Sequence, residues 1–152
     1  MRGKIFTPDE ANRMLPLVSR IADDIVATYA QVHHVLRQLE AEKARIRASV
    51  AEPATPEVPN PYVNPQPESV ETTRLETEIA RLLDRFQGLV EEIEALGGTV
   101  KDYERGCVDF YGEVDGEIVY LCWQRGEDAI SHWHRLDAGY EARNRIPLSS
   151  AA

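Results

Sequence analysis

Two long runs in which apolar residues recur every three or four positions constrain the fold of this chain more than any other feature. The first run extends from Leu17 to Ile46 and the second from Leu75 to Leu96. Apolar side chains at this spacing line one face of an α-helix, and the regular alternation of three and four is typical of coiled coils. The pattern predicts two long amphipathic helices, each with one apolar stripe to bury.

The start of helix one is marked by a capping signal. Thr7 and Glu10 stand at the spacing of a capping box, and Pro8 takes the first helical position, where its missing N–H costs nothing. We expect this helix to span residues 8–48. Pro16 lies inside it, and a proline there removes a helical hydrogen bond, which predicts a kink or a restart.

A proline-rich segment separates the two stripes. Six of the nine prolines fall within residues 53–67, a composition that cannot continue a helix, so we expect a loop over residues 50–68. Helix two then spans residues 69–96 and ends at the glycine pair that begins with Gly97. Two single-stripe helices joined by a loop predict an antiparallel hairpin in which each helix covers the other.

The distribution of charge agrees with such a hairpin. Basic residues at the end of helix one would face acidic residues at the start of helix two, and residues 51–104 carry twelve acidic against four basic side chains. Most of the negative charge is therefore assigned to one solvated helix face. A rod of this length exposes much of its flank, so we expect a homodimer, with a polar flank as the alternative.

Composition excludes several classes of function. A net charge of −9 opposes attachment to nucleic-acid phosphates and anionic membranes, and the chain has neither an apolar run of membrane-spanning length nor a signal-peptide pattern. We expect one cytoplasmic domain over residues 1–152. Two cysteines are too few for a disulfide scaffold, and without a glycine-rich phosphate loop no nucleotide cofactor is expected.

After helix two the pattern changes to a period of two, which is typical of β-strands. We expect three or four antiparallel strands over residues 99–135 and a tail over residues 136–152. The Asp115-Gly116 turn predicts a hairpin in which Asp109 lies opposite Cys122. The fold class is therefore α+β, a long coiled-coil-like antiparallel helical hairpin with a small C-terminal antiparallel sheet.

Alternation along the hairpin predicts two faces of different character. One is apolar and should pack on the helices. Its members are Val108, Phe110, Val119, Leu121 and Trp123. The other is polar and reactive, and could be a solvated surface or a site. Its members are Cys107, Asp109, Tyr111, Tyr120, Cys122 and Gln124.

The polar face offers a candidate metal site. If Trp133 joins the apolar face, His132 and His134 point to the polar face, where two imidazoles on one strand face lie about 7 Å apart. Asp109, Cys122 and the turn residue Glu127 could complete the shell. Nitrogen, oxygen and sulfur ligands together suit zinc or another transition metal such as Fe²⁺ better than Mg²⁺ or Ca²⁺.

Other interpretations of these residues stay open. Two histidines on a strand are often partly exposed and hydrogen-bonded to neighbours. Cys122 with a histidine could instead form a nucleophile and base, and Asp109 with Glu127 a general acid and base. Arg143 and Arg145 could bind an anion or pair with a surface acid.

His33 and His34 are adjacent on helix one, so their side chains point about 100° apart, and they are expected to be interfacial or surface residues. The competing hypothesis for the whole chain is an interaction module without catalysis, in which the hairpin dimerises or binds a partner and the sheet is only a cap. No reaction is assigned from the sequence.

The chain resembles an uncharacterised prokaryotic family, domain of unknown function 2203. The matching segments are spread over nearly the whole chain outside the proline-rich loop: Ile5-Phe6-Thr7, Glu10-Ala11, Leu15-Pro16-Leu17, Val108-Asp109-Phe110, Leu121-Cys122-Trp123, Gly126-Glu127, Trp133-His134 and Asp137-Ala138-Gly139. The resemblance implies a helical hairpin with a small β segment and no assigned activity. It favours Asp109, Cys122, Trp123, Glu127 and His134 as site residues, whereas His132 lies outside the motif.

Overall fold

The computed structural model describes residues 4–50 and 68–147. Two helices pack against each other and are followed by a five-stranded antiparallel sheet with strand order β1-β2-β3-β4-β5. The elements are α1 (Pro8–Val50), α2 (Val70–Ala95), β1 (Gly98–Asp102), β2 (Cys107–Val114), β3 (Glu117–Gln124), β4 (His132–His134) and β5 (Asn144–Arg145). The predicted α+β class is confirmed. None of the described helices is long and apolar enough to cross a membrane.

The capping box predicted for α1 is present. The backbone N–H of Thr7 donates to the Glu10 carboxylate, and the Glu10 N–H donates to Thr7 Oγ1, both at 3.1 Å. The hydrogen bond from Thr7 holds the pKa of Glu10 below its ordinary value, because it stabilises the charged form. This cap satisfies two N–H groups that the first turn of a helix leaves without partners.

The helix continues through Pro16, so the restart predicted at this residue is not seen in the structure. Pro16 is exposed, whereas Leu15 and Val18 on either side of it are buried in the core. Burial of these two neighbours holds the helix across the missing hydrogen bond. Asn12 adds a further restraint: its side-chain oxygen accepts the Ile130 N–H at 2.7 Å and its amide donates to the Pro8 carbonyl at 2.9 Å.

The second helix begins at a reciprocal cap between Ser69 and Thr72. The Thr72 N–H donates to Ser69 Oγ at 3.0 Å, and the Ser69 N–H donates to Thr72 Oγ1 at 2.7 Å. The helix ends before Gly97, which has a φ of 96°, a conformation that favours glycine. Apart from its two end residues, the proline-rich loop predicted at 50–68 lies outside the described part of the chain.

The described residues form two compact units. One contains the chain up to Tyr29 and from Arg85 onward, and the other is Ala30–Asp84. The first unit has a core built from both helices and the sheet. The second has its own smaller apolar cluster of Val32, Val35, Leu39, Leu75 and Leu82. Both boundaries fall inside helices, and the single domain expected from the sequence stays a prediction.

The central hairpin has the predicted register. Asp109 pairs with Cys122 across β2 and β3, and the turn residues Asp115 and Gly116 have φ values of 51° and 82°, as a tight two-residue turn requires. The apolar face is confirmed, since its five predicted members are all at most 1% exposed in the core of the first unit.

The number of strands differs from the prediction. The sheet has five strands rather than three or four, and the fifth, β5, lies in the segment that the sequence assigned to a tail. A two-residue strand has no periodicity to detect. It forms because β4 offers a free edge, on which His132 pairs with Arg145 and Trp133 with Asn144.

Candidate metal centre

Three side chains on the polar face of the sheet come together in the first unit. Asp109 lies on β2, Cys122 faces it from β3, and His134 ends β4. One ligand atom from each residue lies within 4.8 Å of the other two. All three residues are at most 2% exposed. A period of two places the strand residues on this face, and the register of the hairpin brings them level.

The imidazole of His134 is held by hydrogen bonds at both nitrogens. Nδ1 lies 2.9 Å from the carbonyl oxygen of Arg135, and because a carbonyl only accepts, Nδ1 donates this bond. Nε2 lies 2.9 Å from Asp109 Oδ2. The bond to Arg135 fixes the ring so that Nε2 faces the carboxylate and the thiol.

The carboxylate of Asp109 is incompletely satisfied. Oδ2 contacts His134, but Oδ1 is buried and has no hydrogen-bond partner among the described residues. A buried polar atom without a partner costs about 1–3 kcal/mol, more when it carries charge. Such atoms are uncommon in folded proteins, and this one belongs to one of the three possible ligand residues.

The thiol of Cys122 stays protonated in the metal-free chain. Burial raises its pKa well above the ordinary value, and the negative charge of Asp109 raises it further. A thiol needs a lowered pKa to act as a nucleophile at neutral pH. This environment therefore argues against the nucleophile and base suggested by the sequence, whereas a metal ion would displace the thiol proton outright.

Glu127 and His132, the other two predicted ligands, lie in a neighbouring polar cluster. Glu127 Oε1 accepts the Gln124 N–H at 2.7 Å and a hydrogen bond from Arg143 at 2.8 Å. Its second oxygen lies 3.7 Å from His132 Nδ1, and Ser131 Oγ lies 3.0 Å from the same nitrogen. The structure thus brings three of the five predicted ligands together and gives the other two different partners.

Arg143 belongs to the same polar cluster. Its guanidinium pairs with Glu127, lies 4.1 Å from the centre of the Tyr140 ring and donates to the Tyr140 hydroxyl at 3.2 Å. Of the two predicted roles, it is the pairing with an acid that is observed. The backbone carbonyl of Glu127 also accepts the indole N–H of Trp123 at 2.9 Å, so this turn is tied to the core face as well.

A cavity of about 270 Å³ opens above the three clustered side chains. It is lined by residues of the first unit only. These are Lys101, Asp102, Arg105, Cys107, Asp109, Tyr120, Cys122, His134, Leu136, Ala138, Gly139 and Tyr140. The Tyr120 hydroxyl is neutral here, since its hydrogen bond to Tyr111, together with burial, raises its pKa to about 12.

Sequence reasoning missed several of the lining residues, among them Lys101, Arg105 and Tyr140. Alternation carried a signal for Lys101, because Thr99, two residues earlier on β1, pairs with Asp109. Arg105 lies in the turn before β2 and Tyr140 in the short helix Tyr140–Ala142. Neither segment has a period from which its direction could be predicted. His33 and His34 are exposed on α1, as expected.

Comparison with known proteins places the chain in an uncharacterised family. No curated protein and no solved structure matches it. The model of DUF2203, described as an uncharacterized conserved protein, matches residues 4–146. The segments that suggested this family all lie inside the matched range. The chain therefore belongs to the DUF2203 family.

Proposed function

We propose that this protein binds one divalent transition-metal ion through Asp109, Cys122 and His134. The observation that carries the proposal is the buried, unpartnered Oδ1 of Asp109 within a group of three ligand atoms less than 4.8 Å apart. A cation at this point would satisfy the oxygen that the described protein atoms leave without a hydrogen bond.

The donor set suits zinc, with Fe²⁺ as the alternative. A set that combines an imidazole nitrogen, a hard carboxylate oxygen and a soft thiolate sulfur favours these borderline ions over the hard ions Mg²⁺ and Ca²⁺. Nitrogen and oxygen ligands of a tetrahedral zinc ion lie about 3.4 Å apart, as follows from their bond lengths. His134 Nε2 lies 2.9 Å from Asp109 Oδ2, so to share a zinc ion with this nitrogen the carboxylate would either move away by about half an ångström or turn its unpartnered Oδ1 toward the ion.

The charges of the site would balance on metal binding. An Asp109 carboxylate and a Cys122 thiolate together neutralise a divalent ion, while His134 binds as the neutral imidazole. The hydrogen bond from His134 Nδ1 to the Arg135 carbonyl is the orienting contact that metal-binding histidines usually make.

Three protein ligands would leave a coordination position for water or a ligand. Structural zinc sites normally have four protein ligands, whereas sites that act on small molecules keep one position open. The cavity beside the three side chains gives that position access to solvent. The proposal is thus an open site, not a structural one.

The test is the metal content of the full chain produced without a histidine tag. After removal of metals with a chelator, the chain should take up one Zn²⁺, measured by elemental mass spectrometry after gel filtration. With Co²⁺ in place of zinc it should show the ultraviolet charge-transfer band of a cobalt–thiolate bond, which reports Cys122 directly.

Matched variants separate the site from its surroundings. Cys122→Ser should lose the thiolate band and bind zinc at least tenfold more weakly, while Cys107→Ser, on the same face and in the same cavity, should retain both properties. His134→Gln and His132→Gln form a second such pair. Failure of the unmodified chain to take up stoichiometric Zn²⁺ or Co²⁺ would refute the proposal, whatever the variants do.

A further inference from the structure

The cavity beside the three proposed ligands has two cationic side chains at its rim. Lys101 extends from β1 and Arg105 from the turn between β1 and β2. Both lie within a chain whose net charge is −9, so their convergence on one cavity is not a consequence of overall composition.

Neither cation is held in a short, buried ion pair. Within residues 4–50 and 68–147, Lys101 has no carboxylate partner, and its ammonium lies 4.7 Å from the centre of the Tyr120 ring. Arg105 forms an ion pair with Asp102 at 3.5 Å from its Nε, but the Arg105 side chain is 61% exposed, so water screens this pair. Asp102 Oδ1 is occupied by the backbone N–H groups of Glu104 and Arg105, at 2.9 and 2.8 Å.

Aromatic rings hold both cations toward the cavity. Tyr120 lies under Lys101, and Tyr140 lies 5.6 Å from the guanidinium carbon of Arg105. Both rings line the cavity themselves. A cation against an aromatic face keeps its outward N–H groups free to donate, because the ring engages the charge without accepting a conventional hydrogen bond.

Metal binding would leave this cavity positive. The carboxylate of Asp109 and the thiolate of Cys122 would cancel the charge of a divalent ion, so the remaining charged groups are Lys101, Arg105 and Asp102, with a net charge of +1. A low-dielectric cavity concentrates this field on whatever enters it. The open coordination position of the metal would attract an anionic oxygen to the same place.

The rest of the wall is partly apolar and the cavity is small. Leu136, Ala138 and the ring of Tyr140 contribute apolar surface beside the cations. A volume of about 270 Å³ falls just below the usual range of roughly 300–1,000 Å³ for small-molecule pockets. Such a cavity fits a small organic molecule with an anionic head and rejects a macromolecule.

From these observations we infer that the cavity binds a small organic oxyanion, a carboxylate or a phosphate ester. One oxygen of the head group occupies the open position of the metal, Lys101 and Arg105 bind the remaining charge, and the apolar wall contacts the organic part. The inference rests on the proposed metal site, because it assigns the metal one of the contacts to the anion.

The test uses the full chain loaded with Co²⁺ and three probes that share one aromatic body: benzoate, phenyl phosphate and the neutral benzyl alcohol. Binding of an anion at the metal changes the visible absorption of Co²⁺. Benzoate or phenyl phosphate should give a saturable change, and benzyl alcohol should give none. The tighter of the two anions identifies the preferred head group.

Variants then test the rim. Replacing both cations, by Lys101→Gln with Arg105→Gln, should weaken binding of the anion at least tenfold. The control is Arg13→Gln with Arg20→Gln, which removes two positive charges at exposed positions of α1 and should leave binding within a factor of two. The cobalt spectrum of each variant before the anion is added distinguishes a lost metal from a lost anion.

The possible failures are distinguishable. A chain that takes up Co²⁺ but shows no saturable change with either anion overturns this inference and leaves the metal site in place. If the rim variant and the control bind the anion with equal affinity, the proposed role of Lys101 and Arg105 is overturned. A chain that takes up no metal overturns both proposals.

Discussion

At the centre of the β2–β3 hairpin, both faces are almost fully buried, but their side chains differ in chemistry. On one face, Phe110 and Leu121 are 0% exposed; on the other, Asp109 is 2% and Cys122 is 1% exposed. The apolar face gains free energy from leaving water. The polar face contains a charged group with an unpartnered oxygen, which costs free energy in the folded chain. Burial of this second face therefore does not stabilise the metal-free chain as burial of the apolar face does.

The largest expected change in the free energy of unfolding comes from a substitution on the apolar face. Phe110→Ala should lower the free energy of unfolding by about 3–5 kcal/mol, because it removes a fully buried ring and leaves a cavity behind. Chemical denaturation followed by circular dichroism measures this change, with the metal-free chain as reference. A loss below 1 kcal/mol would contradict the assignment of this face as the core.

The matched change on the other face replaces Asp109 and His134 together by leucine. Replacing both partners of a buried hydrogen bond by apolar groups of similar size is often nearly neutral or stabilising, so the metal-free double variant should unfold at nearly the same denaturant concentration as the parent chain. Its uptake of Zn²⁺ should be abolished. A loss of stability as large as that of Phe110→Ala would remove the distinction between the two faces.

Binding of zinc should have the next largest effect on the free energy of unfolding, and it should act only through the polar face. A ligand that binds only the folded state at 100 times its Kd raises the free energy of unfolding by about 2.7 kcal/mol. Thermal unfolding of the chain in zinc and in chelator should show this increase. Cys122→Ser, with at least tenfold weaker binding, should lose about half of this increase or more, and Cys107→Ser should keep it. Equal stabilisation of both variants would place the metal elsewhere.

A smaller effect is expected from the polar cluster next to the site. Arg143→Gln removes the guanidinium that hydrogen-bonds Glu127 at 2.8 Å, and the pair is partly exposed, so we expect a loss of about 1–2 kcal/mol. Zinc uptake should not change, because Glu127 and Arg143 lie outside the three-residue group. If zinc uptake fell with Arg143→Gln, the two clusters would have to be treated as one site.

The smallest expected change in stability comes from a substitution in α1, which lies outside both faces of the hairpin. The pKa of Glu10 is lowered by its bond to Thr7, so its contribution to stability is present above the unfolded-state pKa and is lost as the pH falls through the folded-state pKa. Glu10→Gln should therefore be slightly less stable than the parent chain at pH 7, and the difference should shrink as the pH is lowered from the unfolded-state pKa through the folded-state pKa. A difference that does not shrink with falling pH would contradict the assigned role of the carboxylate.

Periodicity accounts for most of what the sequence predicted correctly. Because side chains alternate along a strand, the Asp115-Gly116 turn alone placed Asp109 opposite Cys122 and separated the two faces of the hairpin. The capping box of α1 was equally predictable, since it depends on residues three positions apart. These are local rules, and they do not need the tertiary structure.

The missed features depend on contacts between distant segments. Glu127 was expected at the metal site because it follows the hairpin, but its carboxylate is held by Arg143, sixteen residues further along the chain. Arg105 and Tyr140 belong to segments without a period. The helix through Pro16 is held by burial on either side, which propensity does not include. Homodimerisation involves a second chain and stays a prediction.

The indole of Trp123 has a further consequence for the study of this protein in solution. It is one of only two tryptophans in the chain, it is 1% exposed and its N–H is bonded to the carbonyl of Glu127, and it follows Cys122 directly. Its fluorescence should be blue-shifted by the dry surroundings, while Trp133 is partly exposed. Co²⁺ bound at Cys122 would quench this emission by energy transfer, so the protein carries its own optical reporter of the neighbouring site.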